Sequence, residues 1–120
     1  MMANQVNGIS VDNLTGFTDA VTKSPEKGKV DFCVTSRWKG QTKIEAEVSS
    51  FSLGGVEIQK SFTIDSDEPE QLLGANTAPN PQELLMAAVN ACMMVGCVAN
   101  VSVSGHGCLV LQMLGLFRGA

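Results

Sequence analysis

Hydrophobic and polar residues alternate through residues 30–64, which is typical of β-strands with one face turned to solvent. Turns at Gly40 and at Gly54–Gly55 divide this segment into three runs. The positions on the more apolar face are Val30, Phe32, Val34, Ser36, Trp38, Ile44, Ala46, Val48, Val56, Ile58, Phe62 and Ile64. We therefore predict a three-stranded antiparallel meander whose apolar face must be covered by another element.

The pattern changes to a long apolar helix over residues 81–104. Asn80 can cap its start, Pro81 suits the first helical position, and Glu83 can complete a capping box. No charged side chain occurs between Glu83 and Arg118. A helix that is apolar all round is buried or lies in a membrane. The fold class predicted is α+β, with the antiparallel meander packed on this long buried helix.

A membrane span is the alternative that this helix raises. Residues 84–103 are long enough to cross a bilayer. However, Asn90 and Asn100 interrupt the apolar stretch, and no basic cluster or aromatic belt flanks it. We therefore favour a helix that covers the sheet of a soluble protein, and we expect no membrane partner.

Three further segments complete a single domain over residues 1–120. Residues 1–29 are polar, residues 65–80 form an acidic, turn-rich loop, and residues 105–120 form an atypical apolar tail. Helical spacing of four apolar residues predicts a short amphipathic helix in the first segment: Val11, Leu14, Phe17 and Val21. A cation site in the acidic loop is possible in principle, but we expect a solvated loop.

Composition narrows the classes of function. The chain has 120 residues, of which 44% are hydrophobic and 17% are charged, as in an ordinary globular domain. Its net charge of −4 argues against a nucleic-acid partner, which a basic face would favour. A single histidine, His106, excludes sites built on several histidines. We expect neither a metal nor a cofactor, and we interpret His106, between two glycines, as a turn residue.

With histidine-based sites excluded, the candidate reactive groups are the thiols of four cysteines: Cys33, Cys92, Cys97 and Cys108. None forms a Cys-x-x-Cys pair, and no secretory leader is evident at Met1, so we expect free thiols and a cytoplasmic location. Cys92 and Cys97 lie on different faces of the predicted helix. If the helix ends near Asn100, Cys108 is able to return to Cys92 as a local resolving thiol, whereas a helix that runs to Ser104 leaves Cys108 out of reach.

The helix start and the segment before it resemble the OsmC/Ohr superfamily, the osmotically inducible and organic-hydroperoxide-resistance proteins. The similar residues are Ser66-Asp67-Glu68-Pro69, Leu73-Gly74 and the run from Ala78 to Cys92, with weaker similarity at Arg37-Trp38-Lys39-Gly40. The resemblance implies an α+β homodimer that reduces organic hydroperoxides with a Cys92 thiolate. It further implies that Glu83 and Arg37 hold and activate the thiolate, and that a dithiol such as a lipoylated protein supplies electrons.

Several positions depart from the family pattern. Gln82 stands where the peroxidases usually carry their glutamate, and Gln41 follows Gly40 where they have a Gly-Gly-Arg turn. The downstream resolving cysteine has no counterpart, and the similarity ends near Ser104, so we expect a truncated or altered chain. Two interpretations therefore stand. One is a thiol peroxidase, either intact or degenerate. The other is a non-enzymatic dimeric binding or stress-associated domain in which Cys92 is structural.

Overall fold

The protein is a mixed α+β structure in a computed structural model that describes residues 4–107 and 111–119, which confirms the predicted fold class. It divides into two compact units, Glu26–Leu85 and the combination of Met1–Pro25 with Met86–Ala120. The strands are β1 Gln5–Val6, β2 Ile9–Ser10, β3 Val30–Asp31, β4 Val34–Trp38, β5 Ile44–Val48, β6 Phe51–Leu53, β7 Val56–Ile58 and β8 Phe62–Ser66. The helices are α1 Val11–Lys23 and α2 Pro81–Val103.

The predicted meander is present, but each of its three arms is interrupted. The first arm consists of β3 and β4, the second of β5 and β6, and the third of β7 and β8. Antiparallel pairing gives two three-stranded sheets, with orders β3-β6-β7 and β4-β5-β8. The turns between arms fall at the predicted glycines, because Gly40, Gly54 and Gly55 all adopt positive φ angles.

The sheet of β4, β5 and β8 has one apolar and one polar face. Its register places Ser36 opposite Ala46, and Ala46 opposite Ile64, so these residues share a face. The next position in each strand belongs to the other face, where Arg37 lies opposite Glu45. The alternation in the sequence therefore sets the two faces as predicted.

The first turn of α2 lies over the apolar face of this sheet. Pro81 and Leu84 line a cavity of about 280 Å³ together with sheet residues, including Ser36, Ala46 and Ile64. The helix therefore begins where the sheet offers apolar surface, as the sequence predicts.

In the other unit, side-chain hydrogen bonds fix the ends of the helices. Ser10 caps α1 by accepting a hydrogen bond from the Asn13 amide at 3.3 Å. At the end of α2, Asn7 Nδ2 donates to Ser102 Oγ at 2.9 Å and to the His106 carbonyl at 3.0 Å. Ser102 is fully buried, and His106 lies in the turn that follows the helix, as expected.

The expected burial of α2 on all sides is not found within the single chain. Leu85 is 63% exposed, and Val89 and Met93 are also exposed, because no described element covers that side of the helix. Val11 is the one buried apolar side chain among the residues that the structure describes. By length and composition alone, α2 is also able to cross a membrane.

Candidate functional site

Cys92 lies on the open side of α2. Helical geometry puts Leu85, Val89 and Gly96 within about 60° of Cys92 around the axis. Cys92, Leu85, Val89 and Gly96 are all exposed, and we call them the open stripe. In the single chain, the Cys92 thiol is therefore accessible to a solute and is surrounded by apolar side chains.

The opposite side of α2 is partly covered by residues of its own unit. Met86 and Asn90 lie against Gly115 of the C-terminal tail, where an added Cβ would come within 3.1 Å of Met86 Cβ. Further along the helix, an entirely apolar cavity of about 320 Å³ is lined by Ile9, Met94, Val95, Val98, Ala99 and Leu111. Gly115 of the tail thus lies on the side of α2 opposite Cys92. The cavity that Leu111 lines includes Val95 and Ala99, which lie within about 60° of Cys92 around the axis but further along the helix.

Glu83 forms the predicted capping box with Asn80. The Glu83 amide donates to Asn80 Oδ1 at 2.9 Å, and the Asn80 amide donates to Glu83 Oε1 at 3.0 Å. Both residues are partly or fully open to solvent. The carboxylate of Glu83 is therefore held at the N-terminus of α2, where the helix dipole favours negative charge.

Arg37 makes an ion pair on the polar face of the sheet. Its Nη1 donates to Glu47 Oε2 at 3.1 Å, and Glu45 lies directly opposite it on β5. Leu84 of α2 lies over the other face of the same sheet. Across the described residues, no ion pair joins Arg37 to Glu83. The structure therefore does not bring these two predicted site residues together.

The other thiols do not form a pair with Cys92 in the described part of the chain. Cys33 and Cys97 are free and exposed. Cys108, the candidate for a local resolving thiol, lies outside the described residues. No group of three or more metal-ligating side chains occurs in residues 4–107 and 111–119.

Asp67, in the acidic loop, is buried, so the prediction of a fully solvated loop is wrong at this residue. Its side chain is only 1% exposed. Oδ1 accepts hydrogen bonds from Thr42 Oγ1 at 2.6 Å and from the Glu68 amide at 2.9 Å. Oδ2 accepts from the Ala75 amide at 3.2 Å, and from the Thr77 amide at 3.1 Å and its hydroxyl at 2.7 Å.

These hydrogen bonds determine the ionisation of Asp67. The Thr42 hydroxyl contributes most, and the hydroxyl and amide of Thr77 and the amide of Glu68 add to it. Together they outweigh the cost of burying the charge and hold the pKa of Asp67 well below its usual range. Asp67 thus stays ionised at neutral pH at the centre of the loop that leads into α2.

Hydrogen bonds between backbone groups also hold this loop in place. Leu73 adopts a left-handed conformation with φ of 70°, and the Gly74 amide donates to the Pro69 carbonyl at 3.0 Å. The Asn76 amide donates to the Glu68 carbonyl at 3.0 Å. In the sequence, Pro69 and Gly74 predict turns in this loop, but they do not show that the turns enclose a buried carboxylate.

A further cavity, of about 240 Å³, opens at the end of the β4-β5-β8 sheet. Lys39, Lys43, Glu45 and Asp65 line it, and their charges balance. The Ser66 hydroxyl also lines this cavity and is buried without a hydrogen-bond partner. This cavity was not predictable from sequence patterns, because its walls come from three separate segments.

Comparison with known proteins adds no family to this description. No protein-family model and no curated protein sequence matches the chain.

Proposed function

We propose that this protein is a thiol-dependent reductant of organic hydroperoxides and that Cys92 is its reactive residue. The observation that carries the proposal is the accessible Cys92 thiol in the open stripe of a helix that begins with the Asn80–Glu83 capping box. The resemblance of this helix to that of the OsmC/Ohr superfamily supports the same chemistry. The apolar surroundings of the thiol favour an organic hydroperoxide over hydrogen peroxide, since they offer contacts to a hydrocarbon group.

The reaction at Cys92 is a two-electron oxidation of sulfur. The thiolate attacks one oxygen of the hydroperoxide, the O–O bond breaks, and the alkoxide leaves and takes up a proton to become the alcohol. Cys92 is left as a sulfenic acid. A dithiol, such as a lipoylated protein, then supplies two electrons and two protons, which restores the thiol, forms a disulfide in the donor and releases water.

The thiolate needs a nearby cation or hydrogen-bond donor, because apolar neighbours disfavour its charge. Arg37 remains the cation that the resemblance implies. To stabilise the Cys92 thiolate, Arg37 must first break its ion pair with Glu47. Glu83 remains the predicted acid. Arg37→Ala tests the first assignment, and Glu83→Gln tests the second.

We further propose a cytoplasmic homodimer. Trp38, which is 72% exposed, shares the apolar sheet face with exposed Val34 and Phe62. A surface of this kind is unfavourable in water, and a second copy of the chain would cover it. The homodimer is also what the resemblance implies.

The decisive experiment is a short pulse of cumene hydroperoxide followed by mass spectrometry of each cysteine. We expect Cys92 to be oxidised at least ~10-fold faster than Cys97, which lies on the same helix and is also exposed. Cys97→Ser is the matched control and should leave the rate at Cys92 unchanged.

Equal rates at Cys33, Cys92 and Cys97 would reject the peroxidase and leave the alternative, a non-enzymatic dimeric domain with a structural Cys92. If selective oxidation disappears in Arg37→Ala, Arg37 is the cation of the thiolate. If selectivity survives that substitution, the thiol is reactive and Arg37 is not its partner.

A further inference from the structure

Asp67 is a buried charged group that the proposed chemistry does not use. Its carboxylate receives five hydrogen bonds, from Thr42, Glu68, Ala75 and two groups of Thr77. A carboxylate with this many donors is held in one position. The donors themselves are equally fixed, because each loses its partner if the carboxylate moves.

The donors come from both sides of the loop that precedes α2. Thr42 belongs to the turn between β4 and β5, whereas Ala75 and Thr77 lie a few residues before the helix. The Asp67 amide also donates to the Pro79 carbonyl at 3.2 Å, directly before the capping residue Asn80. Asp67 thus links residues 75–79, which precede α2, to the turn between β4 and β5.

We propose that Asp67 is a positioning residue that fixes Asn80, and through Asn80 the carboxylate of Glu83. The capping box needs both the amide and the side chain of Asn80 in place. The Asn80 amide belongs to the same peptide group as the Pro79 carbonyl, which accepts the hydrogen bond from the Asp67 amide. The catalytic part of this inference rests on the proposed function, in which Glu83 assists Cys92.

The test compares Asp67→Asn with Asp65→Asn. The first change preserves the size of the side chain but removes the charge and turns an NH₂ group toward donors that need an acceptor. Asp65 is exposed on β8, two residues before Asp67, so its substitution removes the same charge without touching the loop contacts. It is therefore the matched control.

Two measurements distinguish the positioning of the capping box by Asp67 from the effect of Glu83 on Cys92. Hydrogen exchange should show amides 75–83 exchanging at least ~10-fold faster in Asp67→Asn, with no change in Asp65→Asn. Oxidation of Cys92 by cumene hydroperoxide should slow by about the same factor in Asp67→Asn as in Glu83→Gln. The double variant should be no slower than Glu83→Gln alone, because Asp67 acts through Glu83.

Unchanged exchange at residues 75–83 would overturn the proposal. Faster exchange with Cys92 oxidised at the wild-type rate, or additive losses in the double variant, would also overturn it. If the wild-type Cys92 shows no selective oxidation, the proposed function fails, and the exchange measurement alone decides whether Asp67 positions Glu83.

Thr42→Val provides a milder variant if Asp67→Asn does not fold. It removes the 2.6 Å hydrogen bond that joins the loop to the β4–β5 turn and leaves the four others in place. The same exchange and oxidation results are expected, at smaller amplitude, and wild-type values in both measurements would overturn the proposal.

Discussion

The carbonyl oxygen of Glu68 lies directly against the Cα of Gly74, and a Cβ at that position would be only 1.8 Å from it. No side chain fits there, and the obstacle is backbone rather than a flexible side chain. The loop between β8 and α2 is therefore closed around a contact that requires glycine.

Gly74→Ala should lower the free energy of unfolding by about 3 kcal/mol, at the upper end of overpacking costs. Gly96→Ala is the matched control, because a Cβ at Gly96 meets nothing within 4 Å. That change should raise stability by about 0.5–1 kcal/mol, since alanine is the better helix former. Urea denaturation measures both, and equal effects would mean that the Glu68 contact is absent in solution.

Asn80→Ala should destabilise the protein by about 1 kcal/mol through loss of the helix cap. Pro81→Ala should cost less, because a proline in the first turn gives up no intrahelical hydrogen bond. Thermal unfolding followed by circular dichroism distinguishes the two. Negligible effects of both changes would contradict the observed start of α2.

Asp67 should make the protein sensitive to acid. Its folded-state pKa is depressed below the unfolded value of about 4, so its stabilising effect is complete above about pH 4 and is lost as the pH falls further. The difference in unfolding midpoint between wild type and Asp67→Asn should therefore shrink below about pH 4. A difference that stays constant as the pH falls would refute the assignment.

The protein should form a homodimer at micromolar concentration. Trp38→Lys places a charge on the exposed apolar face of the β4-β5-β8 sheet and should shift the mass measured by light scattering toward the monomer. Thr35→Lys, on the polar face of the same strand, is the control and should leave the dimer intact. A soluble wild-type monomer would contradict this prediction.

Oxidised Cys92 should accumulate as sulfenic acid and then as over-oxidised forms, because Cys33 and Cys97, the other thiols among the described residues, are free and form no pair with Cys92. Repeated turnover with cumene hydroperoxide should consequently be poor even if the first oxidation is fast. Mass spectrometry under non-reducing conditions provides the check. A Cys92–Cys108 disulfide as the main product would instead identify Cys108 as a local resolving thiol.

The elements that depend on neighbouring residues were predictable from the sequence. Period-two alternation placed Ala46 and Ile64 on one face, and local capping chemistry placed the start of α2 at Pro81. The breaks within the arms were not predictable, because Phe32 continues the alternation although β3 ends before it. Pairing between distant segments decides where a strand ends, and alternation alone does not report it.

The candidate site was predictable only in part. The capping role of Glu83 follows from spacing, and the open position of Cys92 does not, since an apolar helix without charges suggests a core. Asp67 was missed because its partners, Thr42 and Thr77, lie 25 and 10 residues away. No periodicity links residues at such separations, and acidic residues near proline usually mark solvated turns.

The hydrogen bond between Asn7 and Ser102 joins residues 95 positions apart, and this affects the order in which the chain matures. Asn7 lies between β1 and β2, which pair antiparallel. During synthesis this hairpin leaves the ribosome long before the end of α2 is made, so the hydrogen bond to Ser102 forms late. Bringing together residues so far apart in the chain costs conformational entropy, and this cost arises only when the two segments meet. We therefore expect the β-sheets of residues 26–85 to assemble first, and the joining of the two ends of the chain to be the last event of folding.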